Sequence, residues 1–152
     1  MGKQISLLAA LLALAWPAAS VLAADFRSVE PVEGQAAILY DAPSKKGVPR
    51  FIIRRYTPVE VVVGLEGWAK VRDAAGGLAW IERSALSERR TLQITADRAD
   101  VRQSADDNGA LVFQADKGVA LELIEVGAGG WVKVRHRDGQ SGYMRAQQAW
   151  GL

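Results

Sequence analysis

Apolar and polar residues alternate along much of the chain with a period of two. Val59, Val61 and Val63 are separated by Glu60 and Val62, and Leu121 and Leu123 stand on either side of Glu122. Successive side chains of an extended strand point to opposite faces, so this spacing predicts strands that turn one face to a core. Turn signals divide the alternating stretches. Ala75-Gly76-Gly77 and Asp138-Gly139 read as hairpins, the second a pair suited to a type I′ turn. Neither half contains a long amphipathic helical pattern. Several short strands at regular spacing predict an all-β chain built from small barrels or sandwiches.

The pattern occurs twice. Gly67-Trp68-Ala69-Lys70-Val71-Arg72 returns as Gly130-Trp131-Val132-Lys133-Val134-Arg135, and Ala79-Trp80-Ile81 returns as Gly142-Tyr143-Met144, each 63 positions on. Upstream, Gly47 and Phe51 face Gly109 and Phe113 at a step of 62, so one residue is inserted in the second copy. The expected organisation is a unit over 24–87, a junction at 88–91 and a second unit over 92–152. A unit of about 60 residues buries only about 60% of its unfolded surface, so the two are expected to pack together.

The first 23 residues follow another rule. Lys3 is followed by an apolar run from Ile5 to Trp16 broken only by Ser6, then by Pro17 and a small-residue stretch ending at Ala23. This is the pattern of a secretory signal peptide cleaved after Ala23, too short for the roughly 20 apolar residues of a membrane span. The remaining chain is expected to be periplasmic or secreted, with no stable membrane span.

Composition narrows the chemistry. With 49% apolar residues, 24% charged residues and no Cys, the sequence of 152 residues is that of a globular protein without disulfides, thiolate metal sites or a cysteine nucleophile. Nineteen basic residues against 17 acidic ones give a net charge of +2, and losing Lys3 lowers it to +1. Bulk charge therefore predicts no nucleic-acid partner. The only histidine, His136, lies between Arg135 and Arg137 with no evident acidic orienter, so no hydrolytic triad is expected. Asp106-Asp107-Asn108-Gly109 reads as a turn, lacking the glutamate that would close a calcium loop. No catalytic residue, metal site or cofactor is expected.

The turn glycine, the Trp-x-Lys-Val-Arg phrase, the hairpin and the closing Gly-Tyr-Met together resemble the bacterial SH3-like domain, in two tandem copies across nearly the whole mature chain. Ala37-Ile38-Leu39-Tyr40-Asp41-Ala42 is also similar to the ALYDY segment of eukaryotic SH3 domains, whose tyrosine lines a groove for extended peptides. The resemblance implies two tandem small β-barrels that bind without catalysis. In the second copy Arg102 replaces Tyr40, and Glu82 and Arg145 stand where the eukaryotic groove has a proline, so the two grooves differ in chemistry.

Strand alternation supplies the candidate binding residues. Lys and Arg rarely bury unpaired, so Ala69 and Val71 face the core while Trp68, Lys70 and Arg72 face outward. The same reasoning places Val132 and Val134 inside and Trp131, Lys133 and Arg135 outside. Trp80 and Tyr143 on the next strand, Tyr40, and Tyr56 beside Arg54-Arg55 complete the set. Exposed aromatic rings beside cations suit an extended peptide or a sugar. The alternative is that each Trp covers the turn before it or seals the contact between units. Trp150, near the C-terminus, is expected to close the second core. The expected function is recognition of a cell-envelope component, either a cell-wall glycan or peptide or an envelope protein. A structural or assembly role, or attachment to anionic glycan or lipid through the clusters Arg50/Arg54/Arg55, Arg89-Arg90 and Arg135-His136-Arg137, stands beside it.

Overall fold

The computed structural model describes residues 23–152. The expected signal peptide, apart from Ala23, lies outside the described residues. The rest is all-β, as the alternation predicts. The first unit contains strands Asp25–Val29 (β1), Ala36–Tyr40 (β2), Pro49–Arg54 (β3), Pro58–Leu65 (β4), Trp68–Arg72 (β5), Leu78–Glu82 (β6) and Leu86–Ser87 (β7). The second contains Thr91–Ile94 (β8), Arg98–Arg102 (β9), Leu111–Asp116 (β10), Ala120–Val126 (β11), Trp131–Arg135 (β12), Ser141–Arg145 (β13) and Ala149–Trp150 (β14). A 3-10 turn, Arg83–Ala85 or Ala146–Gln148, precedes the last short strand of each. No helix among the described residues is long and apolar enough to cross a membrane.

The sheet orders are β3-β2-β6-β5-β4-β1-β7 and β10-β9-β13-β12-β11-β8-β14, the same topology shifted by seven strands. In the first unit Val29, Leu39, Ile53, Val59, Val71 and Ile81, from six different strands, meet in one core cluster. Neighbouring strands lie about 4.8 Å apart, so a flat sheet of this width could not bring its two margins onto common residues. Each sheet is therefore curled into a small barrel. Leu92, Ile94, Val101, Leu121, Val132 and Met144 form the equivalent core of the second.

Two local expectations are corrected. Val59 is fully buried and Val61 partly so, but Val63 is 43% exposed. The register with β5 slips between Val61 and Val63, and this bulge turns the outer half of β4 away from the core. The second unit slips at the matching place, between Leu123 and Glu125. The hairpin at Asp138-Gly139 is not type I′, which needs positive φ at both central residues: Gly139 has φ 97° and Asp138 does not share it. Instead Gly139 N–H donates to the His136 carbonyl at 2.9 Å and His136 N–H to the Gln140 carbonyl at 2.8 Å, giving a wider turn closed by one left-handed glycine. Asp73, Gly76 and Gly77 form the same turn in the first unit.

The barrels pack together through the chain ends and the junction. Trp150 does not close the second core. Its ring meets Phe26 of β1 edge-on at 5.0 Å, sealing the contact between units. Arg90 lies 5.5 Å over the same Phe26 ring and donates to the Gly151 carbonyl at 2.8 Å. Arg27–Glu88 and Arg89–Glu30 ion pairs, at 3.1 and 3.2 Å, flank the seam.

Candidate functional site

The outer face of the first barrel gathers four of the predicted residues. Ala37 and Leu39 of β2, Ala69 and Val71 of β5, and Ala79 and Ile81 of β6 are buried, so alternation turns Tyr40, Trp68, Lys70 and Trp80 outward. Tyr40 pairs with Trp80 and Lys70 pairs with Trp80 across neighbouring strands, making one row over β2, β6 and β5. Lys70 Nζ stands 6.0 Å from the Trp80 ring centre. Trp68, beside the row, meets the Tyr40 ring edge-on at 5.6 Å and stays half-buried. A groove of about 400 Å³ runs along Tyr40 and is lined by Pro31, Val32, Ile38, Glu82 and Ser84. Val32 and Ile38 are exposed apolar side chains that residue-type reasoning did not select. Arg72 continues the face but is held by Glu60 at 2.8 Å.

The second barrel repeats half of this. Tyr143 pairs with Arg102 on one side and Lys133 on the other, with Lys133 Nζ 5.7 Å from its ring centre. Trp131 departs from expectation. It is only 7% exposed, although it does lie outside the core cluster. Arg145, its cross-strand partner, lays its guanidinium 4.2 Å from the indole centre. The inserted residue falls in the loop 127–130, which folds back so that Gly127 N–H donates to the Trp131 carbonyl at 2.9 Å. A Cβ at Gly127 would lie a close 3.1 Å from that oxygen. The turn lies against the ring edge at Gly129, where a Cβ would come 3.9 Å from Trp131 Cδ1, and the Arg145 cation covers the ring face. Asp107 holds Arg145 in place with contacts of 2.5 and 3.2 Å, and the guanidinium in turn keeps the Asp107 carboxyl below its ordinary pKa.

Tyr56 and Arg135 lie elsewhere, in a cleft of about 640 Å³ between the barrels. The clusters that are far apart in sequence converge there: Arg54 and Arg55, Arg89, and Arg135 to Arg137, joined by Lys117. Arg50 is not among the lining residues, and Arg90 is drawn into the seam. Arg135 is bound to Glu122 at 2.9 Å. Lys117 was not singled out from the sequence; the 62-residue step that carries Arg55 onto it was the available signal.

His136 does have an acidic neighbour, correcting the sequence reading: Asp138 Oδ2 lies 3.0 Å from its Nδ1. The other Asp138 oxygen accepts the Gln140 N–H at 2.9 Å, so this carboxylate serves the turn, and its pKa is lowered chiefly by that bond. Asp106 likewise accepts the Asn108 N–H within its own turn.

The sequence matches the models of two bacterial SH3 domain families, over residues 33–88 and 97–148. Among solved structures it is similar to NlpC2 from Trichomonas vaginalis (12% identity, TM-score 0.42, 88% of this chain and 50% of that one). NlpC1 from the same organism (14%, 0.41, 96% and 51%) and an NlpC/P60 family protein from Bacillus cereus (13%, 0.37, 84% and 56%) are also similar. The chain spans about half the length of these structures. No curated protein matches it. Bacterial SH3 domains are generally non-catalytic binding modules and commonly bind cell-wall components. With the same barrel topology repeated twice and a family match on each copy, the chain belongs to the bacterial SH3 domain proteins, as a tandem of two.

Proposed function

We propose that this is an exported, non-catalytic binding module that recognises an extended glycan or peptide of the cell wall through the outer face of its first barrel. The half-buried Trp68 indole, set against the Tyr40 ring that lines the mixed apolar and acidic groove, carries this reading. A flat ring braced by a second ring offers a stacking surface already held in place, while Lys70 and Glu82 supply polar contacts at its margins. The second barrel, with its Trp covered and its last strand docked on the first through Trp150 and Phe26, has the features of a support.

The test is sedimentation with purified peptidoglycan. Trp68→Ala is expected to lower the bound fraction about tenfold, equivalent to losing one stacked aromatic contact, with the fold intact by circular dichroism. Undiminished binding by a folded Trp68→Ala chain would remove the first-barrel face from the reading.

A further inference from the structure

The cleft between the barrels concentrates charge that the rest of the chain does not predict. The whole sequence carries only +2, yet Arg54, Arg55, Lys117 and Arg137 line this one cleft, and among the described residues none of the four has a carboxylate within ion-pair distance. The two neighbouring arginines do have such partners, Arg89 with Glu30 and Arg135 with Glu122. Arg55 donates only to the carbonyls of Pro31 and Gly34, which fixes its position and leaves its charge uncompensated. Arg54, Lys117 and Arg137 are exposed and Arg55 is half-buried, and like charges gathered around one cleft set up a positive field that an anion stabilises.

A second, independent observation lies in the backbone. Tyr56 has φ 70°, and it is the sole non-glycine residue with positive φ among the described residues. At the matching turn of the second barrel, which also lines the cleft, the residue is Gly118 with φ 86°. The equivalence is geometric: Tyr56 N–H donates to Val29 and Gly118 N–H to Ile94, at 2.7 and 2.8 Å, and the following N–H closes back on Arg54 or Asp116. A bulky residue therefore occupies a left-handed position that the sister copy gives to glycine. Its ring lies 5.8 Å from the Arg55 guanidinium and 6.0 Å from that of Arg89. The ring contacts with Arg55 and Arg89 offset part of that strain, and the tyrosine gives the cleft an aromatic surface where the sister copy has none.

We propose that this cleft is a second binding site, separate from the Trp68 face, for a segment of acidic glycan. Its carboxylate or phosphate groups are held by Arg54, Arg55, Lys117 and Arg137, and one sugar ring stacks on Tyr56. The volume lies within the range of ligand sites. Single-stranded nucleic acid is gripped on successive aromatic rings, whereas this cleft contributes one tyrosine. Arg54, Lys117 and Arg137 are exposed at the edge of a cleft between two barrels, whereas a bilayer meets a flat or convex surface.

Calorimetric titration of the full chain tests it with a tetramer of galacturonate, a glycerol-phosphate oligomer, neutral chitotetraose, a single-stranded oligonucleotide and phosphatidylglycerol vesicles. At least one of the two acidic oligomers is expected to bind, more weakly as salt rises from about 50 to 200 mM. The double substitution Lys117→Ala/Arg137→Ala is expected to weaken that binding about tenfold or more. Tyr56→Gly should weaken it about as much as losing one stacked ring, about tenfold, without lowering the melting temperature. Which acidic oligomer binds decides between carboxylate and phosphate. The proposal is overturned if neither binds, if the double substitution leaves their binding unchanged, or if oligonucleotide or vesicles bind as tightly and with the same dependence on Lys117 and Arg137.

Discussion

The two barrels share a topology and a signature phrase but treat the same tryptophan in opposite ways. Trp68 is braced at its edge by Tyr40 and faces Glu82 across the sheet, whereas Trp131 faces Arg145, which stacks on it while the glycine-rich loop folds beneath. A carboxylate does not pack on the negative face of an indole, and a guanidinium does. One exchange of charge on the neighbouring strand, with one added loop residue, therefore separates a half-buried aromatic ring from a sealed one. Repetition of a motif transmits the fold, and the residues around the motif decide its use.

The largest expected effect is the difference between two identical truncations. Trp131→Ala removes a buried ring and the seat of Arg145, and is expected to cost about 3 kcal/mol, while Trp68→Ala should cost about 1 kcal/mol. Urea unfolding of the full chain separates them, and equal losses would abolish the distinction between the copies. An intermediate effect concerns the cover itself. Arg145→Ala should destabilise by about 1–2 kcal/mol and open Trp131 to a fluorescence quencher; unchanged quenching would show that the loop alone seals the ring. The smallest concerns pH. The folded-state pKa of Asp107 is depressed by Arg145, so its contribution is present above the unfolded value near about 4 and is lost as pH falls through the folded value. Melting curves should show a slightly shallower loss on acidification for Asp107→Asn than for the parent, because that variant has no such proton to take up.

How far the chain could be read in advance follows from the same contrast. Period-two alternation assigned Ala69, Val71, Val132 and Val134 to the core, because a strand has only two faces and Lys and Arg mark the outer one. Alternation cannot say what lies on top of an outer residue. Covering Trp131 depends on Arg145 from another strand and on a loop path, neither of which is local to the phrase. Val63 escaped for a related reason, since a bulge changes the phase of a strand without a distinctive residue. The basic segments were visible one by one. Their convergence on a single cleft depends on how the two barrels dock, as does the partnership of Trp150 with Phe26. The glycine at 118 opposite the tyrosine at 56 was legible from the 62-residue step, but only the backbone angle gives it meaning.

The edge-on meeting of Phe26 with Trp150 also bears on how the chain matures. The two residues stand at opposite ends of the folded region, so an N-terminal barrel that folds as it emerges has an aromatic ring still waiting for a partner 124 positions away. Arg90 of the junction can cover one side of that ring early, but its edge-on aromatic partner comes only with Trp150, so the seam ties the first strand to the last.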